Sequence, residues 1–381
     1  MGVSWVAVEA RTGNLIADLP DLECDEVSQT LGRYEVASAA LPVTLSDAPA
    51  DWERATRKGS TALILLEDNP LDPAHGIPLW GGLITRRRRG SGSTVLLDLI
   101  TAEGYLDRRF TGDETFAAVD QNTIVETLID TYIADGVTPG LPIRVEVVGD
   151  PGQTRDRTYF DYDDKTIYAI LRDLAGVISG PEWTIGWEWQ TGPERLTPVL
   201  YVGDRVGSSP LAGLAPAATF DMPGCVSSFE LLEDYGRDTG ANDVMAVSSG
   251  EGDLRPQSPR QTDFTDDLMP AYEYRWTPST SITEVDTLTA HAEERLPIMA
   301  NGTTGLSLSA SVEAAPRLGV DWFIGDDVGY DVGGLAADGV ELAPQFPGGI
   351  RGVARCAGWS RTLGVNPMVT PVLVSSDGSF G

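Results

Sequence analysis

PLWGGLITRRRRGSGSTVLLDLITAEGYLDRRF, residues 78–110, reads as two β-strands joined by a basic-to-glycine turn, closed by the exit Gly104-Tyr105-Leu106-Asp107-Arg108-Arg109. Trp80, Leu83 and Thr85 before the turn, and Val95, Leu97 and Leu99 after it, are read as the alternating positions of a half-buried hairpin. Working back from it, residues 1–110 are strand-rich. Val3, Trp5, Ala7 and Glu9 start an alternating strand, and Gly13-Asn14 offers a turn before a strand over residues 15–19. A further strand is predicted over residues 33–41 and a short helix over 52–57. The apolar run TALILLE, residues 61–67, reads as a buried strand that leads into a loop with Pro70, Pro73 and Pro78. Short strands separated by turns suggest a barrel or sandwich.

Downstream the period changes. Ile124, Val125, Leu128, Ile129, Tyr132 and Ile133 form one face of an amphipathic helix, with Asp120 or Asn122 as its cap and Gly136 as its stop. A strand (residues 143–149) follows. A second helix carries Ile167, Ile170, Leu171, Leu174 and Val177, with Asp163 or Asp164 predicted to cap it. WTIGWEW (183–189) and PVLYV (198–202) return to strand. After the loose SSPLAGLAPAA segment, strands are predicted at 226–232 and 243–249, joined by the turn 236–240. A surface loop is predicted over 250–267, and a helix through Arg295 opened by a capping box at Thr283-Glu284-Val285-Asp286. Four more strands are placed at 305–312, 327–332, 349–359 and 368–374. The predicted fold class is mainly β with an α/β insert: two β-barrel-like domains, 1–110 and 208–381, flank a small α/β domain at 111–207.

Three features carry a resemblance. The Trp-Gly strand runs into arginines, the second strand ends in Tyr105-Leu106-x-x-Arg109, and GVDWFIGDDVGYDV (319–332) has the pattern Asp-aromatic-x-hydrophobic-Gly-Asp-x-Val. In this order they resemble the tail-hub (baseplate hub) proteins of long-tailed siphovirus bacteriophages, often described as minor tail proteins. The resemblance implies a virion structural protein of the tail tip, assembled in the host cytoplasm. It implies a homotrimeric ring in which each subunit contributes two similar barrels, so that three copies present six surfaces to a sixfold tube. The implied partners are the tail tube and distal tail proteins, the tape-measure protein and other tail-tip proteins. The implied role is to hold the tip closed and open a channel for DNA ejection. Many larger hubs continue into a peptidase, lysin or fibre; here a seven-residue Ser/Gly-rich tail follows Val374, so the resemblance implies the hub core alone.

Composition narrows the chemistry. There are 57 acidic residues against 27 Lys and Arg, a net charge of −30, and the only lysines are Lys58 and Lys165. Tight nucleic-acid binding by counterion release needs clustered cations and is not expected. Such a surface keeps a protein dispersed, and it would let DNA slide past a negative wall. The Arg-over-Lys bias with abundant Ala, Gly and Val suggests a high-GC actinobacterial host. No run of eighteen apolar residues occurs and the start alternates like a strand, so neither membrane insertion nor a signal peptide is expected. Cys24, Cys225 and Cys356, widely spaced with no CxxC, are expected as buried free thiols.

No catalytic, cofactor or metal residue is predicted. His75 and His291 are the only histidines; one is placed in a proline-rich loop and the other on a helix surface. Gly-x-Ser-x-Gly and His-Glu-x-x-His are absent. Asp161, Asp163 and Asp164, or Asp321, Asp326 and Asp327, could serve a glycosidase as paired carboxylates, but they read better as caps and turn residues. DYDDK lacks EF-hand spacing, and Gly250-Glu251-Gly252, with Asp253 beside it, would repel phosphate. Two candidate contacts remain. Arg86, Arg87, Arg88 and Arg89 form the only basic run, either a solvated turn that blunts edge pairing or a docking point for an acidic neighbour. Trp183, Trp187 and Trp189 share a strand face and serve either the core or sugar stacking. The alternatives to a hub are therefore a receptor- or carbohydrate-binding tail protein and, behind it, a cell-wall glycoside hydrolase.

Overall fold

The computed structural model describes residues 2–44, 49–72, 74–134, 138–177, 179–191, 194–211, 214–250, 252, 255–266, 268–278 and 282–374. Pro73, Gly136, Glu251, Asp253, Asp267 and the 375–381 tail, used in the reading above, lie outside these residues. The chain is mainly β with an α/β insert. Its first large sheet has seven antiparallel strands in the order Leu15–Asp18, Val3–Glu9, Thr61–Glu67, Ile77–Arg88, Thr94–Thr101, Val36–Pro42 and Glu23–Cys24. This order does not close on itself among the described residues.

The sheet is covered on both faces at Thr61–Glu67 and its neighbours, while Thr94–Thr101 and Val36–Pro42 alternate buried and exposed, with Val95, Leu97 and Leu99 inward as read from the sequence. Every residue of Thr61–Glu67 is buried. Leu63 and Leu65 join one core, while Ala62, Ile64 and Leu66 join another. Val3–Glu9 divides the same way, Trp5 and Ala7 against Val6 and Val8. A strand buried on both faces reads as a continuous apolar run because neither side meets water. The same burial corrects the hairpin assignment. Trp80 and Ile84 face the first core, Leu83 packs against the second, and Thr85 is exposed after a bulge between Ile84 and Arg86. Trp80 and Leu83 are three residues apart, so they must point to opposite faces. Gly81 lies directly beneath Trp187, where a Cβ would collide with the indole. Gly13, at φ +73°, closes the predicted turn in a conformation that favours glycine.

The second core belongs to the insert. Its helix Gln121–Ile129 is capped by Asp120, whose carboxylate accepts from the Asn122 and Thr123 amides. The helix widens into a π turn over Asp130–Ala134. A three-stranded sheet backs it, with Arg195–Gly203 between Arg144–Val147 (parallel) and Glu182–Gln190 (antiparallel). The second helix, Ile167–Ala175, is capped by Thr166, whose hydroxyl accepts from the Ala169 amide at 3.1 Å. The predicted caps are displaced: Asp161–Asp163 makes one 3-10 turn and Asp164 sits in the left-handed region at φ +48°. Thr166→Ala should therefore cost about 1 kcal/mol in a urea unfolding curve. Asp163→Ala should cost almost nothing; equal losses would contradict this cap assignment.

The third region builds the second large sheet, in the order Thr219–Asp221, Asp327–Val332, Ile350–Thr362, Met368–Val374, Thr303–Ser311 and Val226–Asp234. A strand from the first region, Glu26–Thr30, pairs antiparallel with residues 358–362 and completes it. Apolar side chains of both large sheets merge into one core, from Trp5, Leu63 and Trp80 to Trp322, Tyr330 and Trp359. The strands predicted at 226–232 and 243–249 are present in part, as Val226–Asp234 and Asp243–Ala246, in two different sheets. Val226–Asp234 pairs with Thr303–Ser311. Asp243–Ala246 lies between Gln261–Thr262 and Glu273–Trp276 in a separate small sheet. Its core, including Val244, Leu288, Ala292 and Met299, is covered by the helix Val285–Ala300. That helix runs past Arg295, and its N-cap residue, Glu284, makes no capping side-chain hydrogen bond, so the expected capping box does not form.

Candidate assembly interface

The arginine run occupies the turn end of the hairpin. Arg86 and Arg88 straddle Asp98 on the neighbouring strand, at 3.1 and 3.0 Å. Arg87 turns to the other face, where it donates to the Glu53 carbonyl (2.9 Å) and the Thr56 hydroxyl (3.1 Å). Arg89 pairs with the Glu53 carboxylate at 3.2 Å. Burial, and after it the Arg89 charge, hold the Arg87 pKa below its usual value. Arg86 nevertheless keeps 71% of its side chain exposed. These pairings are local and solvent-screened, so they contribute little to stability.

The short helix Trp52–Ala55 brings more cations to this side. Arg54 pairs with Glu9, while Arg11, Arg57 and Lys58 make no ion pair among the described residues. Arg11, Arg54 and Arg57 line a cleft of about 490 Å³ whose apolar wall includes Ile16, Tyr105 and Leu141. Sequence reading missed this site because its cations lie in two separate segments, residue 11 and residues 54–58. The available signal was the density of Arg54, Arg57 and Lys58 in a chain with few cations.

The tryptophans sit elsewhere. Trp183 and Trp187 are 1% and 7% exposed within the insert core. Trp189 is partly buried and donates through Nε1 to the Gly76 carbonyl at 2.8 Å. His75 packs edge-on to Trp189 and pairs through Nδ1 with Asp72 at 2.8 Å. His291 packs edge-on to Trp276.

The acidic candidates are committed to local structure where they are buried. Asp326 accepts from the Ser208 amide (2.6 Å), the Ser208 hydroxyl (2.9 Å) and the Phe323 amide (2.8 Å). Asp327 holds Arg205 at 2.5 Å. The Gly325-Asp326 turn thus anchors the connection out of the insert: Gly325, at φ +90°, sits so close to the Val206 carbonyl that no side chain would fit. Arg355 of the second large sheet adds a bidentate pair to Glu182. Asp321 accepts from the Arg317 amide at 2.7 Å. No group of three or more His, Cys, Asp and Glu side chains able to hold a metal occurs among the described residues. No helix there is long and apolar enough to cross a membrane. All three cysteines are free and buried, with burial raising the thiol pKa of Cys24 to about 11 and of Cys356 to about 12.

No protein-family model matches the chain, and no curated protein matches it. Solved structures do. A 43 kDa tail protein of prophage MuSo2 from Shewanella oneidensis aligns with a TM-score of 0.58 at 10% identity, over 98% of this chain and 99% of that one. A tail protein from Neisseria meningitidis aligns with a TM-score of 0.57 at 11% identity, over 99% of both chains. A prophage tail protein from Listeria monocytogenes aligns with a TM-score of 0.50 at 9% identity, over 99% of this chain and 95% of that one. At such identities the likeness speaks for the backbone, and it runs through both large sheets and the insert. The chain has the fold of phage tail proteins.

Proposed function

We propose that this chain is a structural hub protein of a phage tail tip, not an enzyme. Three copies form a ring that joins a sixfold tail tube and its distal ring to the tip complex and gates the DNA channel. The observation that carries the reading is the end-to-end likeness in fold to the Shewanella and Neisseria tail proteins. Two large sheets in one subunit also suit the symmetry, because a threefold object meets a sixfold tube by presenting two surfaces per copy. The net charge of −30 suits a channel wall from which DNA and the tape-measure protein slide free. Burial of Trp183 and Trp187 leaves the carbohydrate-binding alternative without an open stacking face at those positions.

Native mass spectrometry of the purified chain, with negative-stain class averages from the same sample, tests the reading. The expected result is a trimer seen as a threefold ring with a central hole. A stable monomer that forms no ring, even when co-expressed with tube and distal tail proteins, would overturn it.

A further inference from the structure

The ring reading leaves open which surfaces join one copy to the next, and two features of the chain fit each other. The first is the arginine-lined cleft. It combines unpaired Arg11 and Arg57 with an apolar wall, beside the Arg86–Arg89 run. Arg87 donates to the Glu53 carbonyl and the Thr56 hydroxyl, between Arg54 and Arg57, and so joins the run to the rim of the cleft. Arg11, Arg54, Arg57 and Lys58, with Arg87 and Arg89 reaching over to the Trp52–Ala55 helix, outnumber the acids Glu9, Asp51 and Glu53 beside them on a chain of net −30.

The second feature projects from the insert. Phe160 and Tyr162 stack with ring centroids 4.9 Å apart and planes 10° from parallel. They are 39% and 75% exposed. Asp161, Asp163 and Asp164 surround them, all exposed and without an ion pair among the described residues. The adjacent Lys165 is held away by Asp173 at 3.0 Å. Two bare aromatic rings carrying three unpaired carboxylates are what a cleft of arginines with an apolar wall can receive. The guanidinium groups would meet both ring faces and carboxylates, and the rings would lose water against Ile16 and Leu141. The knob stays exposed in the isolated chain, so its own cleft does not receive it.

We propose that the knob at residues 160–164 of one copy seats in the Arg11/Arg54/Arg57 cleft of the next. This rests on the ring reading and supplies its contact. Two different patches meeting head to tail make a heterologous interface, the kind that closes into a ring when its rotation allows. Because the contact is charged, it should weaken as salt screens it.

Sedimentation and native mass spectrometry of the full chain test this with exposed substitutions only. Arg11→Glu with Arg57→Glu, or Asp161→Arg with Asp163→Arg, should each weaken trimer formation by about tenfold or more, reversing charge at one side of the contact. A chain carrying all four changes should recover it. Tyr162→Ala should weaken association with unchanged circular dichroism, which guards against misfolded charge variants. If wild type forms the ring and the charge reversals leave it intact, or the fourfold variant fails to recover it, the contact is wrong while the ring reading stands. A wild-type chain that stays monomeric at every concentration, and also when co-expressed with tube and distal tail proteins, would defeat both.

Discussion

Glu67→Gln is expected to destabilise the folded chain by about 3–5 kcal/mol, the cost of stranding a buried charge. Glu67 ends the inner strand Thr61–Glu67 of the first large sheet and is only 2% exposed. Its carboxylate binds Arg361 of the second large sheet at 2.8 Å and Arg317 at 3.3 Å. Arg361 is itself 2% exposed, so water cannot take over its charge. Glutamine can keep a hydrogen bond but not the neutralisation, leaving the buried Arg361 guanidinium without a counter-ion, while the partly exposed Arg317 keeps the Asp68 carbonyl. The pair therefore clamps the two sheets together, reinforcing the crossed strand Glu26–Thr30, which pairs Val27 with Arg361. Urea unfolding midpoints would show the loss. Replacing both partners by apolar residues, Glu67→Leu with Arg361→Met, should recover most of it, because the desolvation cost disappears with the charges. A loss below about 1 kcal/mol for Glu67→Gln would place the pair in effective contact with solvent and sink the clamp.

Glu67 also marks the limit of what the sequence made legible. The hairpin of Ile77–Arg88 with Thr94–Thr101, the strand at 61–67 and the insert helices were readable because each depends on local periodicity, turns and caps. The strand Glu26–Thr30 was not, since its partner lies more than three hundred residues along the chain and no local pattern encodes that pairing. A half-buried hairpin predicts one apolar face, which is not where Trp80 and Leu83 together lie. At Trp80 and Leu83 the sheet is covered by the second sheet on one side and the insert on the other and has no polar face to read, whereas Val95, Leu97 and Leu99 on the next strand alternate with exposed positions. The cap at Thr166 was hidden behind three aspartates of equal capping propensity, and the turn they form decided among them. Of the candidate interface, the run at 86–89 was visible as a block. The cleft beside it was not, because Arg11, Arg57 and Leu141 meet only after folding.

Glu103 should make the chain lose stability as pH rises from about 4.5 to about 7. It lies in the helix Glu103–Leu106, where the first sheet hands over to the insert, and is 1% exposed. One carboxyl oxygen accepts from the Ile185 amide at 3.0 Å, across to the insert sheet. The other has no hydrogen-bond partner. Burial dominates and raises its pKa from 4.5 to about 7; the Thr101 hydroxyl and the Ile185 amide oppose this, and the nearby Glu35 charge adds to it. The folded chain therefore holds this proton more tightly than the unfolded chain. The contribution is fully present below pH 4.5, declines as the unfolded carboxyl ionises, and is exhausted above about pH 7. At ~1.4 kcal/mol per pH unit, the loss from this group reaches about 3 kcal/mol. Glu103→Gln keeps an acceptor for Ile185 and cannot ionise, so its unfolding free energy should stay level between pH 5 and 8 where wild type declines. The variant should match wild type at pH 5 and exceed it at pH 8. Parallel curves across that range would mean that Glu103 is charged in the folded chain and that the junction admits water.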